Sequence, residues 1–184
     1  MSTATEKSVT ADELFSMGDI GRCELIYGEL VMMSPAGAEH GVVAGRIFRL
    51  VAQFVEDHDP GVTFAAETGF KLASDPDLVR APDVSFVRRE RLAGGVPKGY
   101  FQGAPDLAVE VVSPDDSRRA LAEKVNAWLA HGSSSVWVAD PSKMAIEVHR
   151  AGGARTRYEL NQSLADADLF PGFSLPLQRV FQLP

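Results

Sequence analysis

Apolar side chains recur at helical spacing in one long segment of the chain. Between residues 39 and 57 they occupy positions 43, 47, 50, 51 and 54, which predicts the longest helix of the protein. A shorter helix is predicted over residues 10–17, because Thr10 and Glu13 have the spacing of a capping box. Both helices should bury one apolar face.

Shorter runs of β-branched and aromatic residues predict strands. Residues 23–33 contain two such runs separated at Gly28, which indicates a hairpin or a bent strand. Further strands are predicted at 62–66, 69–73, 83–87, 107–112, 135–139, 146–150 and 157–160. Residues 90–103 are rich in glycine and are predicted to form a loop.

The segment from 106 to 140 predicts a strand–helix–strand unit. Leu107–Val112 is nearly continuous apolar sequence, typical of a central strand covered on both faces. Ser113 and Pro114 have the residue types of a helix start, and the helix is predicted to run to about His131. A right-handed crossover would make the two flanking strands parallel. The predicted fold class is therefore α/β, a mixed sheet with helices on both faces.

The C-terminal tail, residues 169–184, alternates prolines with apolar residues, and it is predicted to add an edge strand or to wrap the surface. Phe170, Phe173 and Phe181 in this tail could serve a dimer interface or pack within their own chain. No repeat or linker divides the sequence, so residues 1–184 are expected to form a single domain.

Composition narrows the functional classes. The chain has 184 residues, of which 45% are hydrophobic and 23% charged, values typical of a globular protein. It has one cysteine, no apolar run of transmembrane length and no apolar core of a signal peptide near its start, so we expect a cytoplasmic protein without a membrane partner. The net charge of −7 argues against tight, nonspecific binding to nucleic acid. However, acidic and basic side chains nearly cancel between residues 80 and 124.

Two acidic residues lie where burial is expected. Asp83 begins a strand directly after Pro82, and Glu110 lies within the apolar strand, on the same face as Ala108. A buried carboxylate costs several kcal/mol unless a cation, a proton or hydrogen bonds compensate it, and two neighbouring carboxylates can share a divalent metal. Mg²⁺ prefers such oxygen ligands. The alternatives are that Glu110 pairs with an arginine at a sheet edge and that Asp83 caps a turn.

Three further residues are candidates for the same site. Lys124 lies at the margin of an apolar helical stripe, next to Trp128, and could reach the sheet or extend along the surface into solvent. His40 opens the long helix on its core side, where a structural role is the commoner one. Glu24 and Glu29 point to opposite faces of their strands, so at most one of them lines the site. The tryptophans are interpreted as core residues.

At these residues the chain resembles the Uma2 family of the PD-(D/E)XK nuclease superfamily, over roughly residues 10 to 180. The shared motifs, besides His40 and Lys124, lie at 23–30, 80–87, 104–114 and 136–141. The resemblance implies a restriction-endonuclease-like mixed sheet in which Asp83 and Glu110 bind the metal. The superfamily pattern places a lysine two residues after the glutamate, but this chain has Val112 there, and Lys124 stands where relatives with a migrated lysine would place it.

The resulting hypothesis is a metal-dependent endonuclease that hydrolyses phosphodiester bonds in nucleic acid, with DNA as the expected substrate. Asp83, Glu110 and the backbone carbonyl near Val111 would bind Mg²⁺ or Mn²⁺, Lys124 would orient water or stabilise charge, and His40 or Glu24 would add an outer contact. A cutter of double strands usually acts as a homodimer. The alternative is a noncatalytic nuclease-fold module for binding or assembly.

Overall fold

The computed structural model describes residues 8–114 and 116–182, so the first seven residues, Asp115 and the last two residues lie outside the description. The helices are α1 (Ala11–Ser16), α2 (Ala38–His58), α3 (Arg118–Ala130) and α4 (Gln178–Phe181). The strands are β1 (Cys23–Ile26), β2 (Glu29–Met32), β3 (Gly61–Ala65), β4 (Phe70–Ala73), β5 (Leu78–Arg80), β6 (Val84–Arg88), β7 (Phe101–Gln102), β8 (Leu107–Val111), β9 (Ser135–Asp140), β10 (Ala145–His149), β11 (Arg155–Tyr158), β12 (Ser163–Leu164) and β13 (Leu175–Pro176). Short 3₁₀ turns occur at Arg89–Leu92, Pro141–Lys143 and Ala151–Gly153.

The larger sheet has six strands in the order β11-β10-β9-β8-β6-β3. Strands β8 and β9 are parallel, and the other neighbours in this sheet are antiparallel. The predicted mixed α/β sheet is thereby confirmed. The parallel pair is connected through α3, as the predicted strand–helix–strand unit requires.

Helices α2 and α3 cover opposite faces of this sheet. Val43, Ile47 and Val51 of α2 pack with Val109 and Val111 of β8 in one hydrophobic cluster. On the other face Val125 and Trp128 of α3 pack with Ala108 and with strand β9. Because both faces are covered, every residue of β8 is buried, as its apolar sequence predicted.

A smaller sheet of five strands has the order β2-β1-β5-β4-β7. The break at Gly28 is a hairpin whose two turn residues, Tyr27 and Gly28, both have positive φ (51° and 85°). Helix α1 packs on this sheet, and its predicted capping box is present: the Thr10 side chain accepts from the Glu13 backbone while the Glu13 side chain accepts from the Thr10 backbone. Strand β5 was not predicted, because its three residues carry too little pattern to be recognised.

Two predicted boundaries are wrong. Helix α3 begins at Arg118, with Ser117 as its N-cap, and not after Ser113. The reason is local: the Asp116 carboxylate accepts a hydrogen bond from the Ser113 backbone N–H (2.8 Å), which stabilises a turn before the helix. The predicted loop at 90–103 contains part of a 3₁₀ turn and strand β7.

The described part of the tail contributes to the core. Phe170, Phe173 and Phe181 are buried in the same hydrophobic cluster as α2 and the inner strands. Asp166, fully buried, forms an ion pair with Arg150 (2.9 Å) beside these aromatic residues. Of the two roles predicted for the phenylalanines, the structure therefore shows packing within the chain. No helix in the described ranges is long and apolar enough to cross a membrane.

Candidate active site

Asp83 is held at the end of strand β8. It directly precedes β6, which pairs with β8 so that Val84 lies opposite Val109. The Asp83 backbone N–H donates to the Val109 carbonyl (3.0 Å), and its carboxylate Oδ2 accepts from the Val111 backbone N–H (2.8 Å). These two bonds fix the position of the Asp83 side chain relative to β8. The Val111 N–H belongs to the neighbouring strand β8, so this bond ties Asp83 to the sheet and is not the cap of a local turn.

Glu110 lies in the middle of the site and is 4% exposed. Its carboxylate receives two donors from one side of α3: Lys124 Nζ donates to Oε2 (3.1 Å), and Trp128 Nε1 donates to Oε1 (2.8 Å). Lys124 and Trp128 are one helical turn apart, so both side chains reach the same carboxylate. The cationic partner of Glu110 is therefore Lys124, and not an arginine at a sheet edge.

The two acidic residues border one cavity of about 510 Å³. The other predicted residues that border it are Val111, Lys124 and His40. Residues 33–37, after the β1–β2 hairpin, contribute a further part of the wall. The structure thus brings five of the six predicted site residues to a single hollow.

His40 contacts Asp83 from the first turn of α2. Its Nε2 atom lies 3.2 Å from Asp83 Oδ2, and both side chains are about nine-tenths buried. The hydrogen bond to Asp83 raises the pKa of His40 above its usual value, against the opposing effect of burial. The imidazole of His40 thus keeps its proton to a higher pH than an ordinary histidine, and its Nε2 faces the carboxylate as a hydrogen-bond donor.

Burial dominates the electrostatics of Glu110. It raises the pKa of this carboxyl group to about 7; the positive charge of Lys124 opposes the shift, whereas the negative charge of Asp83 adds to it. Burial alone would lower the pKa of Lys124, but the negative charges of Glu110, Glu24 and Asp83 raise it above the usual value. The lysine therefore stays charged, while the glutamate titrates near neutral pH.

Glu24 is not among the residues that border the cavity in the part of the chain that the structure describes. It is 5% exposed on β1, and its carboxylate accepts from Arg80 Nη1 (2.7 Å). Its charge nevertheless reaches the site, because it contributes to the raised pKa of both Glu110 and Lys124. Glu24 thus influences the site through its charge, although it does not border the cavity among the described residues.

The donor atoms present suit a hard divalent cation. The Oδ1 atom of Asp83 accepts no hydrogen bond from any described residue, and carboxylate oxygens keep lone pairs beyond the bonds that Glu110 already accepts. The described residues contain no group of three or more His, Cys, Asp or Glu that could hold a metal ion. A cation at this site would therefore have two carboxylates as its protein side-chain ligands. Backbone oxygen and water would complete its coordination shell, an arrangement that is common for Mg²⁺.

Sequence reasoning missed the contact between Trp128 and Glu110. The sequence predicts a core position for Trp128, and the side chain is fully buried, but its N–H also donates to a carboxylate of the site. Its spacing of four residues from Lys124 was the available signal. Arg22 and Asp116 also border the cavity and were not predicted, because nothing in their local sequence points to this site.

Comparisons with known proteins agree with this architecture. A crystal structure of a "putative nuclease belonging to DUF820" from Anabaena variabilis is similar to the chain with a TM-score of 0.81 and 20% sequence identity, covering 95% of this chain and 98% of the other. This likeness shows the fold. No match was found among curated proteins. The model of the Uma2 family, described as "Putative restriction endonuclease", matches residues 11–178, and the chain therefore belongs to the Uma2 family.

Proposed function

We propose that this protein is a metal-dependent endonuclease that hydrolyses phosphodiester bonds in DNA. Family membership and the nuclease-like fold support a nuclease. The observation that carries the finer proposal is the convergence of Asp83, Glu110 and Lys124 on one cavity. Two carboxylates can hold a divalent ion, and an ammonium group can offset negative charge on phosphate oxygens, so these three side chains suit metal-assisted hydrolysis of a phosphodiester.

In this proposal Asp83, Glu110 and the backbone carbonyl of Val111 would hold Mg²⁺ or Mn²⁺. A bound ion would lower the pKa of a water ligand and would place positive charge near the phosphate. Burial raises the pKa of Glu110, and a cation bound beside the carboxylate would oppose this shift by favouring the ionised form.

The protein side chains have separate roles in this mechanism. Lys124 is positioned by its bond to Glu110, and its ammonium group orients water or stabilises the charge that grows on the phosphate oxygens. His40 donates to Asp83 Oδ2, and Oδ1 of the same carboxylate would bind the metal ion. Glu24 adds negative charge that keeps Lys124 protonated.

The test is cleavage of plasmid and single-stranded DNA with Mg²⁺ or Mn²⁺ by Asp83→Asn, Glu110→Gln and Lys124→Met. We expect each variant to lose about a hundredfold or more of the rate, the usual effect of removing one group that stabilises a transition state. The matched control is Glu123→Gln, since Glu123 is exposed on the same helix and, among the residues that the structure describes, its ion pair is with Arg119. Wild-type cleavage rates in all three site variants would disprove the proposal, and a parallel assay on RNA decides the substrate.

The noncatalytic alternative has two specific observations in its favour. Both Glu110 oxygens already have donors within the protein, and position 112 is valine. Calorimetry with Mn²⁺ separates the two functions, because a module that has lost the metal site would show no binding that depends on Asp83.

We also propose that the active form is a homodimer, since a cutter of duplex DNA usually acts as a symmetric pair with one site for each strand. The buried tail phenylalanines do not provide its interface. Light scattering on the purified protein measures the mass directly, and a value near the chain mass of 19.8 kDa would contradict a dimer.

A further inference from the structure

Glu110 is held by an indole as well as by an ammonium group. Trp128 is fully buried, and its Nε1 lies 2.8 Å from Glu110 Oε1, while Lys124 holds Oε2. The two donors come from consecutive turns of α3 and bind different oxygens of one carboxylate. Rotation of the carboxyl group about its terminal torsion would break both bonds.

The indole ring itself is fixed. Trp128 packs edge-to-face against Phe70, with ring centroids 6.3 Å apart, and it lies in the cluster formed with Ala108 and strand β9. A donor on a rigid, buried ring places its acceptor more narrowly than a donor on a flexible side chain. The carboxylate plane of Glu110 is therefore set by the packing of α3 on the sheet.

We propose that Trp128 is a positioning residue of the metal site: its indole N–H fixes the orientation in which Glu110 presents its carboxylate to the divalent cation. This inference rests on the proposed function. Residues that orient metal ligands in this way typically change metal affinity or activity by about 10- to 100-fold when they are replaced.

The chain offers a matched control in its second tryptophan. Trp137 is also fully buried, and its Nε1 also donates to a buried carboxylate, Oδ2 of Asp166, at 3.0 Å. It lies in the other hydrophobic cluster, on the α2 face of the sheet, and does not border the described cavity. Phenylalanine at either position removes one indole N–H bond to a carboxylate, but only Trp128→Phe affects Glu110.

The first experiment measures Mn²⁺ affinity by calorimetry and thermal unfolding for the wild type and both variants. We expect Trp128→Phe to weaken the Mn²⁺ affinity about tenfold or more. Trp137→Phe should lose thermal stability without changing that affinity. If the wild type binds Mn²⁺ and Trp128→Phe binds it equally tightly, the positioning role is overturned while the proposed function stands. If the wild type does not bind Mn²⁺ at all, both are overturned.

The second experiment uses fluorescence, because the chain has two tryptophans and each variant leaves one. Trp137→Phe isolates Trp128, whose emission should change on addition of Mg²⁺. Trp128→Phe isolates Trp137, whose emission should not change. A response confined to Trp137 would contradict the assignment, and it would do so independently of any cleavage assay.

Discussion

The Glu110 carboxyl group is buried between a central strand and helix α3, and this burial has two opposite consequences. It favours the neutral acid, because a charged group loses solvation in the interior. It also makes the group a strong ligand for a cation, because a metal ion would restore the lost charge compensation. The same burial thus costs stability in the ionised state and prepares the site for metal.

The pH dependence of stability follows from this raised pKa. The carboxyl group has an ordinary pKa of 4.5 and a folded pKa of about 7. The folded state therefore binds the proton more tightly, and the resulting stability is fully present below pH 4.5 and is lost as the pH rises through about 7. The size of the loss is on the order of 3 kcal/mol.

Urea unfolding of the wild type and of Glu110→Gln in a metal-free buffer at several pH values measures this effect. We expect the unfolding free energy of the wild type, relative to the glutamine variant, to fall between about pH 4.5 and 7 and to level off above that range. Glu123→Gln, at an exposed position, serves as the control. A pH-independent difference between wild type and Glu110→Gln would contradict the assignment.

Helix α2 contains two glycines in its interior with no steric need for them. A Cβ atom built on Gly41 or Gly45 would meet nothing within 4 Å, and neither residue has positive φ. Gly61 on strand β3 is different, because a Cβ there would lie 2.0 Å from the Val87 carbonyl oxygen. Close strand packing explains Gly61, whereas open space surrounds the glycines of α2.

We therefore expect Gly45→Ala to stabilise the protein by about 0.5–1 kcal/mol, because alanine is the better helix former and here it fits without strain. Gly61→Ala should instead destabilise it, since the backbone of β6 would have to move. Thermal unfolding of both variants measures the two effects. A lower melting temperature for Gly45→Ala would show that the space beside α2 is not free.

At the scale of the whole molecule, the tail packs with helix α2 and the larger sheet in one hydrophobic cluster. Phe170 is fully buried and packs against Phe54 of α2, Phe86 of β6 and Trp137 of β9. The tail thus covers the sheet beside α2, on the face opposite α3. Its removal would expose apolar surface on three elements.

Phe170→Ala should accordingly destabilise the fold by about 3–5 kcal/mol, as cavity-forming aromatic truncations do. Phe15, which is 54% exposed, is the matched control, and Phe15→Ala should have a much smaller effect. Denaturant unfolding gives both values. Equal losses in the two variants would mean that the tail is not part of the cooperative core.

The sequence by itself determined those features whose physical cause is local. The spacing in α2, the capping box of α1 and the apolar run of β8 each reflect residues within a few positions of one another, and all three are present. An acid within an apolar strand and a lysine at the edge of a helical stripe likewise marked Glu110 and Lys124.

The tertiary structure alone decided what depends on distant partners. The pairing of β6 with β8 brought Asp83 to the Val111 backbone, and the packing of α3 gave Glu110 its second donor, Trp128. The sequence is equally consistent with tail phenylalanines that pack against a second chain. The tertiary structure shows that they are buried in the hydrophobic core of their own chain. Hydrophobic burial is nondirectional, so a sequence specifies that such side chains will be covered, while three-dimensional packing selects what covers them.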